Sequence, residues 1–144
     1  MLIHRFMNCH EYKNYYCIFT DGAKDGNRVA AAVVHRDSTK SIQLPDTESI
    51  FRAELYALLL AIDVMRRSKE KKCVIFSDSI SSLQSINGFN LDLDLVQLFM
   101  KDYTIVAKMA KTLISVGSQV MWESSVMKKH MQLQNRRSPY LSLV

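Results

Sequence analysis

The sequence predicts an α/β fold with a mixed central sheet, three antiparallel strands followed by parallel strands, flanked by helices. Two observations carry this expectation. Short runs rich in β-branched and aromatic residues come first, separated by turn dipeptides, and read as strands joined by hairpins. Stretches with helical periodicity then alternate with further short apolar runs, which is the order of a βαβ unit.

In chain order, Tyr15 to Thr20 reads as a buried strand stopped by a turn at Asp21-Gly22. Asp25-Gly26 is a hairpin signal, Arg28 to His35 the returning strand, and Ser41 to Leu44 a third strand ended by Pro45. From Ile50 to Met65 apolar residues fall at Phe51, Leu55, Leu58, Leu59 and Ile62, the stripe of an amphipathic helix that Thr47 or Ser49 is placed to cap. Cys73 to Phe76 is a short strand, Ser77-Asp78-Ser79 opens a helix over Ile80, Leu83 and Ile86, and Asn87-Gly88 closes it. Leu91 to Lys111 has helical spacing, and Leu113 to Trp122 reads as one last strand. Met127 to Arg137 has helical propensity but no apolar face, so a poorly ordered tail is expected there.

The 144 residues suffice for one domain with a real core and are too few for two ordinary ones. Three segments are expected: an N-terminal extension over 1–14, the domain over 15–122, and an aberrant tail over 123–144. With 48% apolar and 23% charged residues, the chain lies outside the disordered, collagenous and disulfide-framework classes. Cys9, Cys17 and Cys73 are odd in number and lack a C-x-x-C pair, so neither a disulfide framework nor a zinc site is indicated. No apolar stretch approaches the roughly 20 residues of a membrane span, and an intracellular place, cytoplasm or nucleus, is expected. A formal charge of +5 tilts the partner toward a polyanion such as nucleic acid.

Chemistry is carried by three acids. Asp21 follows the first strand, Glu54 lies one turn into the first long helix, and Asp78 follows the fourth strand, so three distant carboxylates can converge where α/β sheets bind their ligands. Each has a plainer role: turn residue for Asp21, exposed helix charge for Glu54, N-cap for Asp78. The neighbours of Glu54, however, are Ala53, Leu55 and Leu58 on the apolar side of the helix, where a charge is costly unless a cation or metal meets it. An oxygen-only donor set suits Mg²⁺. Three acids holding two such ions can activate a water and stabilise a departing oxygen in phosphodiester displacement.

The segments Ile18 to Ala23 (IFTDGA), Ser49 to Leu58 (SIFRAELYAL) and Val74 to Leu83 (VIFSDSISSL) resemble the three successive motifs of type 1 ribonuclease H domains, above all those of non-LTR retrotransposon reverse transcriptase polyproteins. Glu54 lies 33 positions after Asp21, and Asp78 lies 24 after Glu54, spacings that suit that family. The resemblance covers roughly residues 15 to 122 and implies a ribonuclease H-like fold. It also implies metal-dependent endonucleolytic hydrolysis of the RNA strand of an RNA–DNA hybrid, with Asp21, Glu54 and Asp78 as catalytic metal ligands. Asp21 would contact both Mg²⁺ ions (Mn²⁺ substituting), Glu54 the ion on the leaving-group side and Asp78 the ion on the nucleophile side. No small-molecule cofactor and no membrane partner are implied. Asn27 and Ser79 are candidate substrate contacts, weighed against plain turn and cap roles.

The chain departs from the family after Trp122. The family continues with a loop bearing a catalytic His, a Gly-Asn-Glu and a metal-binding Asp, whereas no acid follows Glu123 here and the only later histidine, His130, lies among lysines. Read from the third base of the Trp122 codon, the genetic code compels Gly, then Glu across Met127 and Lys128, and Ala across Met131 and Gln132. That frame permits Gly-Asn-Glu. A catalytically inactive nucleic-acid-binding module, or a decayed retrotransposon remnant, is therefore the alternative expectation to an active nuclease.

Overall fold

A computed structural model of the chain describes residues 13–36, 38–77, 79–87, 93–109, 112–116 and 121–123. A six-stranded sheet, in the order β3-β2-β1-β4-β5-β6, forms its centre. The strands are β1 (Tyr16–Asp25), β2 (Arg28–His35), β3 (Ser38–Leu44), β4 (Lys72–Phe76), β5 (Thr112–Val116) and β6 (Met121–Glu123). Three helices intervene: α1 (Ile50–Arg67), α2 (Ile80–Asn87) and α3 (Asp94–Lys108). The first three strands are antiparallel, β1 pairs with β4 and β4 with β5 in parallel, and β5 pairs with β6 in antiparallel fashion.

Period-two alternation divides the strands between two faces. Ile18, Val33 and Ile75 join Leu55, Leu58 and Ile62 of α1, Ile86 of α2 and Phe99 and Tyr103 of α3 in the main core. Phe19, Val74 and Phe76 point to the opposite face, where the rings of Phe19 and Phe76 stack with centroids 5.1 Å apart. Where β2 passes under α1, the small residues Ala31, Ala53 and Ala57 let strand and helix approach closely. Helix α1 starts where expected: the Ser49 hydroxyl accepts from the Arg52 N–H at 3.2 Å, the N-cap interaction. Arg66 and Arg67 lie in its last turn, favourable to the helix dipole.

Three expectations are corrected. Strand β1 does not stop at Asp21-Gly22 but runs on to Asp25, with Asp21 paired to Ala32 and Gly22 to Ala31. The turn comes at Gly26-Asn27, where Gly26 takes φ +60° and Asn27 does not go positive, the pattern of a type II′ hairpin. The expected single last strand is two, β5 and β6, folded back on each other with Ser115 opposite Trp122. Cys17 is disulfide-bonded, where the odd and widely spaced cysteines indicated no disulfide framework, while Cys73 is a free thiol buried in β4. Among the described residues no helix is long and apolar enough to cross a membrane. The tail expected to be poorly ordered lies, from residue 124 on, outside the described residues.

Candidate active site

Gly22 explains why β1 continues past the Asp-Gly pair. A Cβ on Gly22 would stand 2.7 Å from the backbone N of Glu54 and 2.9 Å from the carbonyl carbon of Ala53. No side chain fits between strand and helix there, so glycine serves close approach rather than a turn. The consequence for the site is direct: β1 touches α1 at the backbone of Glu54, and Asp21 is the adjacent strand residue.

Glu54 is half-buried, its Oε2 oxygen shut off from solvent, between the buried Ala53 and Leu55. Asp21 is likewise half-buried. The plainer roles for these two acids therefore fail: Asp21 is a paired strand residue and Glu54 is not an exposed helix charge. Asp78 lies outside the described residues. Its chain neighbours are described, and they assign the capping of α2 to Ser79, whose hydroxyl accepts from the Ser82 N–H at 3.3 Å and donates to the Ser82 hydroxyl at 2.7 Å. Ser77 is buried, and its hydroxyl accepts from the Ser79 N–H at 3.2 Å.

Three ties bind the acid-bearing elements to one another. Gly22 seats β1 on α1. The buried Thr20 hydroxyl donates to the Phe76 carbonyl at 3.0 Å, linking β1 to the end of β4. The Ser82 hydroxyl donates to the Phe51 carbonyl at 3.5 Å, linking the start of α2 to the first turn of α1. Thr20 and Ser82 were not singled out by sequence reasoning, because a hydroxyl in an apolar strand or a serine-rich helix start reads as propensity alone.

Arg52 braces the same end of α1. Its guanidinium donates to Glu48 at 2.6 Å and, in a two-point fork, to Asp94 at 2.9 and 3.3 Å. The hydrogen bonds that Arg52 donates to Asp94 and then to Glu48 raise its pKa further, and the Asp94 carboxyl is held below its ordinary value by the same fork. The starts of α1 and α3 are thereby tied together.

Of the candidate substrate contacts, Ser79 spends its hydroxyl on the helix cap, and Asn27 is exposed at the hairpin tip. Asn27 lies past Asp25, four strand residues beyond Asp21, or about 13 Å along the strand. A cavity of about 480 Å³ opens at the other end of β1, between Tyr16, His35 and the last turn of α1. It lies some five residues from Asp21, roughly 17 Å along the strand, and takes no part in the acid site.

The donor set fits a hard divalent cation. It is oxygen-only, its members Asp21 and Glu54 are half-buried, and one Glu54 carboxylate oxygen is closed to solvent. Among the described residues no three His, Cys, Asp or Glu side chains assemble into a metal site, a set from which Asp78 is missing.

Comparison with known proteins places the fold. No curated protein matches the chain in sequence. Among solved structures it is similar to LC11-RNase H1, isolated from compost by a metagenomic approach, with a TM-score of 0.55 and 22% identity over 72% of this chain and 84% of that one. The same enzyme in complex with an RNA/DNA hybrid matches with a TM-score of 0.53 and 20% identity, over 70% of this chain and 83% of that one. RNase H1 from the halophilic archaeon Halobacterium salinarum NRC-1 matches with a TM-score of 0.54 and 17% identity, over 72% and 84% of the two chains. These likenesses show the fold, a mixed sheet with a parallel β1–β4 pair. The RNase H family model matches residues 13–135, past Trp122 and over most of the chain; the chain belongs to the RNase H family.

Proposed function

We propose that the chain hydrolyses the RNA strand of an RNA–DNA hybrid, with Asp21, Glu54 and Asp78 as ligands of two Mg²⁺ ions that Mn²⁺ can replace. Family membership supports the ribonuclease reaction and its dependence on divalent metal. The observation that supports the assignment of residues is the close approach of Gly22, the residue after Asp21, to the backbone of Glu54, a half-buried glutamate with one oxygen closed to solvent.

Bound there, the ions supply an activated water and charge stabilisation at the departing oxygen. The chain's own part is to hold the ligands. Asp21 and Glu54 are half-buried, which strengthens the attraction of a carboxylate for a cation relative to bulk water. The Thr20, Gly22 and Ser82 ties fix the elements that bear them. As in the family, recognition of the hybrid would run through the backbone and the 2′-hydroxyls, a shape readout with little sequence preference.

A second reading rests on one observation, the absence of any acid after Glu123. A site with three acids holds metal less tightly than one with four. On that reading the chain is a hybrid-binding module or a remnant of a non-LTR retrotransposon polyprotein, and it binds without cutting. A labelled RNA–DNA hybrid incubated with the full chain and Mg²⁺ or Mn²⁺ separates the two. Cleavage to fragments with 5′-phosphates, with single-stranded RNA and duplex DNA left intact, is the expected result. Binding without cleavage in either metal supports the inactive module.

A further inference from the structure

We propose that Thr20 is a positioning residue for the acid site: its buried hydroxyl, bonded to the Phe76 carbonyl, fixes the separation of the two strands that lead to Asp21 and Asp78. The proposal rests on the reading of those acids as metal ligands.

The parallel pairing of β1 with β4 ends at Phe19 opposite Phe76. Beyond that pair β1 continues to Asp25 alongside β2, whereas β4 stops. The backbone ladder thus gives out where fixed spacing matters most, since Asp21 is the residue after Thr20 and Asp78 is two residues after Phe76. The Thr20 side chain supplies one more cross-strand bond at that point, 3.0 Å long. Thr20 is 1% exposed and Phe76 6%, so water does not compete for either group. A buried bond of this kind is costly to break, because the carbonyl loses a donor that solvent does not replace.

The chemistry explains why a few tenths of an ångström count. Ligands of a metal site must be held within about 0.5 Å of productive geometry by groups that are themselves locked. Ser77 and Ser79 already lock the chain on either side of Asp78 through the Ser79 N–H bond to the Ser77 hydroxyl. Without the Thr20 bond, the last reference between β1 and β4 is the Phe19–Phe76 backbone pair, one residue short of Thr20. Threonine also suits the position on local grounds, being β-branched and therefore stiff in a strand.

The test measures Mn²⁺ binding by calorimetry and the thermal melt, on the full chain and on Thr20→Val, Thr20→Ser and Asp21→Asn. Valine keeps the shape and removes the donor; serine keeps the donor and removes a methyl. Thr20→Val is expected to fold and to bind Mn²⁺ about 10- to 100-fold more weakly, the range seen when groups supporting metal ligands are removed. Thr20→Ser is expected to stay within about twofold of the parent, because its hydroxyl still reaches the carbonyl. Parent-like affinity in a folded Thr20→Val overturns the proposal. So does a Thr20→Ser variant that loses affinity as Val does, which would assign the effect to methyl packing. Should Val not fold, the serine variant decides alone. If Asp21→Asn binds Mn²⁺ as the parent does, the acid-site reading itself falls and takes the proposal with it.

Discussion

At the scale of single residues, the chain shows why an Asp-Gly pair need not be a turn. Gly22 sits inside β1 because the backbone of α1 occupies the space its side chain would need. Gly22→Ala should therefore cost about 1–3 kcal/mol, the range for overpacking a site that cannot yield, read as a lowered denaturation midpoint. Since the obstructing atoms belong to Ala53 and Glu54, relief must push the start of α1 away from β1, and Mn²⁺ affinity should fall by more than the stability loss explains. A Gly22→Ala variant with parent-like stability would mean that α1 does not press on β1 as described. Asp21→Asn, which keeps the shape and removes the charge, should leave the fold intact and lower hybrid cleavage by more than about 100-fold, beyond the effect of losing a group that only supports a ligand. The same outcome is expected of Asp78→Asn. Cleavage persisting in both would place the activity elsewhere.

Among the elements, the acid–base groups that join helices set the response to pH. Asp94 and Asp63 both have lowered carboxyl pKa values in the folded chain. For Asp94 the cause is the Arg52 fork, and for Asp63 hydrogen bonds from Arg66 and Arg67 outweigh the opposing effect of burial. Their contribution to stability is complete above the unfolded value of about 3.9 and is lost as pH falls through the lowered folded values. Asp102 on α3 behaves oppositely. Burial raises its pKa, with Arg66 pulling it down and Asp63 pushing it up. It stabilises only while protonated, and its contribution is lost as pH rises from the unfolded value through the raised folded one. Asp102→Asn should accordingly raise the urea midpoint at pH 7 and leave it unchanged near pH 3, whereas Asp94→Asn should lower it at pH 7 and make acid unfolding less steep. Equal shifts of Asp102→Asn at both pH values would show that packing, not charge, is what the substitution changes.

For the whole molecule, the fold was legible because its signals are local. Aromatic and β-branched runs, the Asp25-Gly26 hairpin and the Ile50 to Met65 stripe each have a short-range cause, and β1, β2, α1, β4 and α2 follow them. The errors came where tertiary contact overrides local preference: the Asp-Gly pair inside β1, and the reversal between β5 and β6, which no Asn-Gly or Asp-Gly pair announces. Order, spacing and the apolar flanks of Glu54 are what propose the acids, but the bond that ties β1 to the end of β4 was not legible, because it spans 56 positions and leaves no periodic trace. The remaining sequence signal concerns residues 124–144, which lie outside the described structure. The family match continues to residue 135, yet this stretch holds no acid and no Gly-Asn-Glu. One frame on, beginning with the third base of the Trp122 codon, the code forces Gly at once, since TGG is followed by GA. It forces Glu where Met127 meets Lys128 and Ala where Met131 meets Gln132, and an Ala-rich apolar helix becomes available beyond. Of the compelled residues the Glu alone belongs to Gly-Asn-Glu, whose Gly and Asn are permitted by free third bases, and the metal-binding Asp is unreachable in this frame too; the frame as translated gives a basic, faceless segment. Too few residues separate Trp122 from that Gly-Asn-Glu to hold the family's His loop, and a deletion in a decaying element, or an error in the gene's reading, would produce the shifted frame and the missing loop together. The expected outcome is that the codon of Ser125 ends in G and that of Val126 in A, which spells Gly-Asn-Glu in the shifted frame; sequencing the gene checks it. Any other base at either position removes the motif, and the departure after Trp122 would then belong to this protein by descent rather than by frame.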